Sequence, residues 1–205
     1  MQVSTRSNLA SGLTDGPAKV RSNERVIREA ALRVWNHYGY SRATLKRIGE
    51  AAGLGEPALL RQFGSRAGIM RAALMHEAAR LANECEISGD LHQDVSRLIE
   101  AFRSLMRRYG RLLLDFVLEA SRSDEVLELV PIAMEPLGRA AGVIAYHQAS
   151  GSLRGENPWE PLLALVGPLI LPALQQDPQK RLYASASGNL DEFLLGWQVG
   201  SKGQS

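Results

Sequence analysis

Residues 44–66 read TLKRIGEAAGLGEPALLRQFGSR, two short helical patterns pinned by a glycine turn. Thr44 is a residue type that caps a helix N-terminus, and Leu45, Ile48 and Ala52 follow at the spacing of one helical face. Gly53 stands where the chain must turn through positive φ, which glycine does without a Cβ penalty. Leu54 fills the gap between the helices. Glu56–Pro57 opens the second helix, where the missing N–H of proline is no loss. Leu59 and Phe63 face inward, which turns Glu56, Pro57, Leu60, Arg61 and Gln62 outward. A short exposed helix braced on another has the shape that enters a duplex major groove.

The remainder of the 205-residue chain bounds what this hairpin can belong to. With 45% hydrophobic residues the chain can bury a sizeable core, as one helical domain or as a small module joined to a larger one. The single cysteine, Cys85, excludes an intrachain disulfide framework and fits a reducing compartment. The opening MQVSTRSNLASGLTDG has no apolar run of the secretory kind, and Leu162–Leu174 is too short to span a bilayer and holds Pro168 and Pro172. A cytoplasmic protein with no membrane partner is expected. The net charge of +2 hides an uneven distribution. Residues 19–71 hold eleven Lys and Arg against four Glu, whereas 72–205 hold twelve against seventeen Asp and Glu. A basic end facing a polyanion and a solvated basic helix face both fit that asymmetry, and its coincidence with the hairpin favours nucleic acid.

Along the chain, residues 1–22 lack periodicity and are expected to form a flexible arm carrying Lys19 and Arg21. A helix from about Asn23 to Tyr38 carries Ile27, Ala31, Val34, Trp35 and Tyr38 as a core stripe, and Gly39 ends it. After the hairpin, Ser65 caps a long helix from Arg66 to about Glu86. Asp90–Tyr109 and Arg111–Ser121 read as two further helices. Pro131 and Pro136 lie near the start of another that reaches Ser150. Residues 151–158 form a loop, a helix follows from Trp159, and Asn189–Gly200 is the last one. Nothing alternates like a strand. The fold expected is all-α, with eight to ten helices: a three-helix helix-turn-helix module over 23–70 and a helical bundle over 71–205.

These residues resemble the TetR family of bacterial transcriptional regulators. The resemblance rests on Ala30–Ala31, Gly39–Tyr40, Thr44, Ile48, Gly53–Leu54–Gly55, Leu59 to Phe63 and Ser65–Arg66, and covers about a quarter of the chain. It implies that Glu56–Gln62 is the recognition helix, that Thr44 touches a phosphate and that Lys46 reaches a base edge, guanine O6 and N7 being suited to it. Pro57 and Ala58 would meet a thymine methyl, and Arg61 and Arg66 would neutralise phosphates, aided at Arg66 by the helix dipole. Glu56 could accept from a cytosine amine or simply favour the positive end of its own helix. The resemblance further implies a homodimer that binds double-stranded DNA and a small-molecule effector, with no cofactor.

Some positions depart from the family pattern. Gly55 stands for a usual serine, Leu60 for a usual tyrosine, Gln62 for a usual histidine, and Gly49 for a usual alanine. Glycine and leucine cannot donate side-chain hydrogen bonds to phosphates, a loss of roughly 0.5–1.5 kcal/mol for each contact. A helical ligand-binding protein with a weakened DNA module is therefore the second reading, and a helical-bundle enzyme the third.

Other chemistry is sparse. His76-Glu77-Ala-Ala-Arg80 misses the second histidine of a zinc-protease helix, and the remaining histidines share no ligand spacing, so no metal site and no catalytic residue is expected. Phe102, Met106, Phe116, Met134 and Tyr146 are candidates to line an effector pocket, although helical spacing of such residues more often means ordinary core. Trp159, Leu162, Leu163 and Val166, with Phe193, Leu194 and Trp197, suit a dimer interface or a buried core. Pro168 and Pro172 either bend one helix into a cavity wall or divide two short helices.

Overall fold

A computed structural model of the chain describes residues 17–174 and 190–199. The described elements are α1 (Pro17–Tyr38), α2 (Leu45–Ala52), α3 (Glu56–Phe63), α4 (Arg66–Asn83), α5 (Leu91–Ala120), α6 (Asp124–Leu127), α7 (Val130–Ala149), α8 (Trp159–Leu174) and α9 (Leu190–Trp197). The fold is all-α. Among the described residues the only β-type pairing is an isolated antiparallel bridge between Leu153 and Gln198.

Two hydrophobic cores organise these helices. The first joins Ile27, Val34 and Trp35 of α1 to Ile48, Leu59, Ile69 and Leu74. It continues through Leu112 and Phe116 of α5 to Val126 and Leu129. The N-terminal module therefore does not close its core alone: the far half of α5 and the segment around α6 complete it. The second core packs Val95, Leu98 and Phe102 of α5 against Val143 and Ile144 of α7, Leu162 and Leu165 of α8, and Phe193 of α9. The boundary expected at residue 70 falls inside α4, a helix capped by the Ser65 hydroxyl, which accepts from the Gly68 amide at 3.0 Å.

Several element boundaries differ from expectation. Helix α1 begins at Pro17 rather than Asn23, so residues 17–22, Lys19 and Arg21 included, are helical and not part of an arm. Residues 1–16 of the expected arm lie outside the described residues. Tyr38 is 43% exposed and leaves the core stripe, stacking under the Arg47 guanidinium at 4.5 Å.

Gly110 does not divide the region after Gly89. Helix α5 runs unbroken for 30 residues with Gly110 buried, so packing on both cores outweighs a helix-propensity penalty of about 1 kcal/mol. Helix α8 likewise passes through Pro168 and Pro172 as one element. Pro131 falls in the first turn of α7, where its missing N–H costs nothing, and Pro136 is buried within the same helix.

Candidate nucleic-acid interface

The hairpin folds as its residue types dictate. Thr44 caps α2, its Oγ1 accepting from the Arg47 amide at 3.3 Å. Gly53 takes φ 67° and ψ 30°, and the Leu54 amide donates back to the Gly49 carbonyl at 2.9 Å, closing the helix end. That reversal brings chain against chain. A Cβ on Gly49 would lie 2.5 Å from the Leu54 carbonyl oxygen, which explains a glycine inside a helix that would otherwise favour alanine. Gly55 then caps α3 in extended geometry, without a side-chain hydrogen bond. Ile48 and Leu59 are fully buried, with Leu54 and Phe63 packed beside them.

This brace leaves an outward face. Lys46, Glu56, Pro57, Leu60 and Arg61 are exposed, Thr44 is exposed beside them, and Ala58 and Gln62 are half-buried. Among the described residues, neither Lys46 nor Arg61 has an ion-pair or hydrogen-bond partner, so both charges stand toward solvent. Leu60, at 41% exposure, adds an apolar group beside Pro57 on this face.

Arg66 is placed differently. Its guanidinium lies over the ring of Tyr40, 4.4 Å from the centroid, donates to the Tyr40 carbonyl at 3.3 Å, and pairs with Glu125 of α6 at 3.3 Å. Tyr40 is in turn tied to α5, its amide donating to Asp115 Oδ2 at 2.6 Å. The buried hydroxyl of Tyr40 has no partner in hydrogen-bonding geometry. Burial pushes its pKa up to about 12, the positive charge of Arg66 and the negative charge of Glu125 acting on it in opposite directions.

The expected effector residues do not converge. Phe102 is buried in the second core and Phe116 in the first, Met106 is partly buried beside the second, and Met134 and Tyr146 are exposed. An open groove of about 780 Å³ lies instead between the start of α5, Ser152–Arg154 and α9, and none of the five lines it. The expected interface residues divide as well. Leu162, Val166, Phe193 and Leu194 are buried within the chain's own second core, and Trp197 is packed against it. Trp159 and Leu163 are exposed, and Leu195, absent from the expected set, is 82% exposed.

One polar cluster carried no local sequence signal. Asp94, buried in the first turn of α5, accepts from the Ser88 amide at 3.0 Å, the Ser88 hydroxyl at 2.6 Å and the Gly89 amide at 3.3 Å. Its Oδ2 meets His147 Nε2 at 2.9 Å. Burial acts to raise the Asp94 pKa, but the Ser88 hydroxyl and amide, His147 and the Gly89 amide outweigh it and hold it below the usual carboxylate value. Facing an ionised carboxylate, Nε2 of His147 carries the proton, and its buried Nδ1 has no partner. The cluster clamps the α4–α5 loop to the end of α7.

Comparison with known proteins agrees with this geometry. The family model for bacterial regulatory proteins, tetR family, matches residues 27–73, which span most of α1, all of α2 and α3 and the start of α4. No curated protein matches the chain. Among solved structures, a Saccharomonospora viridis protein in complex with choline has a TM-score of 0.68 at 19% identity, covering 88% of this chain and 100% of its own. Salmonella enterica GusR has a TM-score of 0.66 at 17% identity, covering 85% and 94%. The SmeT–triclosan complex has a TM-score of 0.61 at 20% identity, covering 87% and 92%. At these identities the likeness is one of fold, and it extends through the bundle as well as the hairpin. No described helix is long and apolar enough to cross a membrane.

Proposed function

Through residues 27–73 this chain belongs to the tetR family of bacterial regulatory proteins, and on that premise we propose that it is a transcriptional repressor released from its operator by a small molecule. The observation that carries this reading is the braced hairpin, whose exposed α3 face and unpartnered Lys46 and Arg61 meet the steric and electrostatic needs of a major groove. Lys46 reads a base edge, Pro57 and Ala58 meet a thymine methyl, and Arg61 holds a phosphate. Thr44 adds a backbone contact, and Leu60, Gln62 and Glu56 complete the facing surface. Work of this kind puts the protein in the cytoplasm.

Two copies would read the two halves of a palindromic site, one helical turn or a multiple of it apart. The exposed apolar groups Trp159, Leu163 and Leu195 on α8 and α9 offer a face for the second copy. A small molecule is supported by two fold neighbours, one holding choline and the other triclosan. Phe102 and Met106, one turn apart on α5 beside the second core, are the effector contacts we propose. A coupling of roughly 1–3 kcal/mol between effector and operator gives 5–150-fold induction.

The test is duplex affinity over a salt series, on the chain's own promoter region and on random sequence. A repressor gives a steep salt dependence and a preference for the promoter duplex. Weak binding that is flat with salt and blind to sequence refutes it and favours a ligand-binding protein without an operator.

A further inference from the structure

The N-terminal turn of α4 stands beside the hairpin, where the family resemblance would set Arg66 against the DNA backbone, yet the Arg66 guanidinium is engaged within the chain. It is sandwiched between Tyr40 of the hairpin module and Glu125 of the bundle, and only 28% of it is exposed. Glu125 comes from a helix of four residues, α6, which is fixed from below: Val126 and Leu129 are both fully buried in the first core beside Phe116. The Tyr40 backbone is tied to α5, its amide donating to Asp115, while its ring stacks on Trp35 of α1 at 6.0 Å between centroids. Both partners of Arg66 are therefore anchored to the bundle, Glu125 directly and Tyr40 through its amide. A second pair repeats the pattern more loosely, Arg71 of α4 reaching Glu128 at 4.0 Å. The acidic α6 segment thus faces the basic start of α4, and one contact neutralises a charge that DNA would otherwise use.

Resting on the proposed function, we infer that Glu125 is an autoinhibitory residue: it withholds Arg66 from the DNA backbone, and Arg66 exchanges Glu125 for a phosphate when the hairpin docks. Carboxylate and phosphate compete for the same guanidinium fork, so the exchange needs only a side-chain rotation. It also makes the grip on DNA depend on where the first core seats α6. A shift that presses Glu125 onto Arg66 removes one phosphate contact per subunit, and a shift that withdraws Glu125 supplies one.

The experiment is Glu125→Gln in the full chain, with Asp124→Asn as a control that removes the same charge from the same helix without touching Arg66. Fluorescence anisotropy on the promoter and random duplexes, over a salt series, reads the effect. Glu125→Gln is expected to bind about 2- to 5-fold more tightly per subunit, the worth of an exposed ion pair. Promoter and random duplexes should gain alike, since a phosphate contact carries no sequence. The log–log salt slope should stay close to that of the wild type, because Arg66 meets the phosphate in both proteins and only its competitor is removed. Asp124→Asn should leave the affinity nearly unchanged. In an Arg66→Gln background, Glu125→Gln should be silent. Equal gains from Glu125→Gln and Asp124→Asn, or a gain that persists without Arg66, overturn the inference while the regulator reading stands. A wild-type chain that shows no salt-dependent duplex binding overturns the regulator reading, and this inference with it.

Discussion

Replacing Gly55 by serine adds a hydroxyl at the N-cap of α3, the position where the chain departs most plainly from the residues that grip phosphates. The structure has room for it. Gly55 lies at φ −75° and ψ 152°, a backbone state serine adopts freely, and a Cβ would meet only the Pro57 Cδ at 3.5 Å, an ordinary contact. Pro57 has no N–H, so the new hydroxyl would cap through the Ala58 amide, which now reaches the Gly55 carbonyl at 3.0 Å. Glycine is itself a tolerable cap, so the gain in folding stability is only a few tenths of a kcal/mol, about 0.5–2 °C in melting temperature. On DNA the hydroxyl gains one neutral hydrogen bond to a phosphate, about 0.5–1.5 kcal/mol, or roughly 2- to 12-fold per subunit, squared for two subunits on one site. The contact adds no charge, so affinity should rise at every salt concentration without a change of slope, and equally on cognate and random duplexes. Anisotropy titrations beside thermal melts measure both parts. A raised melting temperature with unchanged affinity would refute the placing of Gly55 against the DNA backbone.

Lys46→Ala should remove about 1–3 kcal/mol of discrimination between operator and random sequence while leaving nonspecific binding nearly intact. Arg61→Ala should weaken both duplexes alike and lower the salt slope by about 0.9 per subunit, and matching effects from the two variants would end the assignment of Lys46 as base reader. Asp94→Ala strands the Ser88 and Gly89 amides and His147 Nε2, and should cost about 3–5 kcal/mol in urea denaturation at fixed protein concentration. Because the Asp94 pKa is lowered on folding, the stability it contributes is whole above the ordinary carboxylate value of about 3.9 and disappears as pH falls through its own lower value. The gap between wild type and variant should therefore narrow in strong acid, and a gap unchanged there would show that charge is not what the cluster uses. Ser65→Ala loses the cap on the Gly68 amide and should cost about 1 kcal/mol, visible as early fraying of the start of α4 in hydrogen exchange.

The hairpin was legible because each of its determinants is local. Thr44, Gly53, Pro57 and the Ile48–Leu59–Phe63 brace act over a few residues, and spacing alone reveals them. Glycine and proline misled elsewhere for a matching reason. Gly110, Pro168 and Pro172 are breakers only when nothing outweighs them, and packing of α5 and α8 on a shared core outweighs them here. The pairings of Arg66 with Glu125 and of Asp94 with His147 could not be read from the sequence. The partners stand 59 and 53 residues apart, and nothing in local spacing forecasts such meetings. The aromatic and methionine residues chosen for a pocket share helical spacing, but spacing does not say which core a face joins, and Phe102 and Phe116 joined different ones.

Because Leu112, Phe116, Val126 and Leu129 complete the core beneath Trp35 and Ile48, the DNA-reading half is not a transplantable part. A chimera built by joining residues 1–70 to another regulator's bundle would expose this apolar seam or pair it with side chains that never adapted to it. A graft that carries the far half of α5 and the α6 segment along with the hairpin keeps the seam closed. The same continuity means that a lesion in the bundle near Phe116 would surface as lost promoter recognition, so a screen for operator release would return core mutants alongside true contact residues.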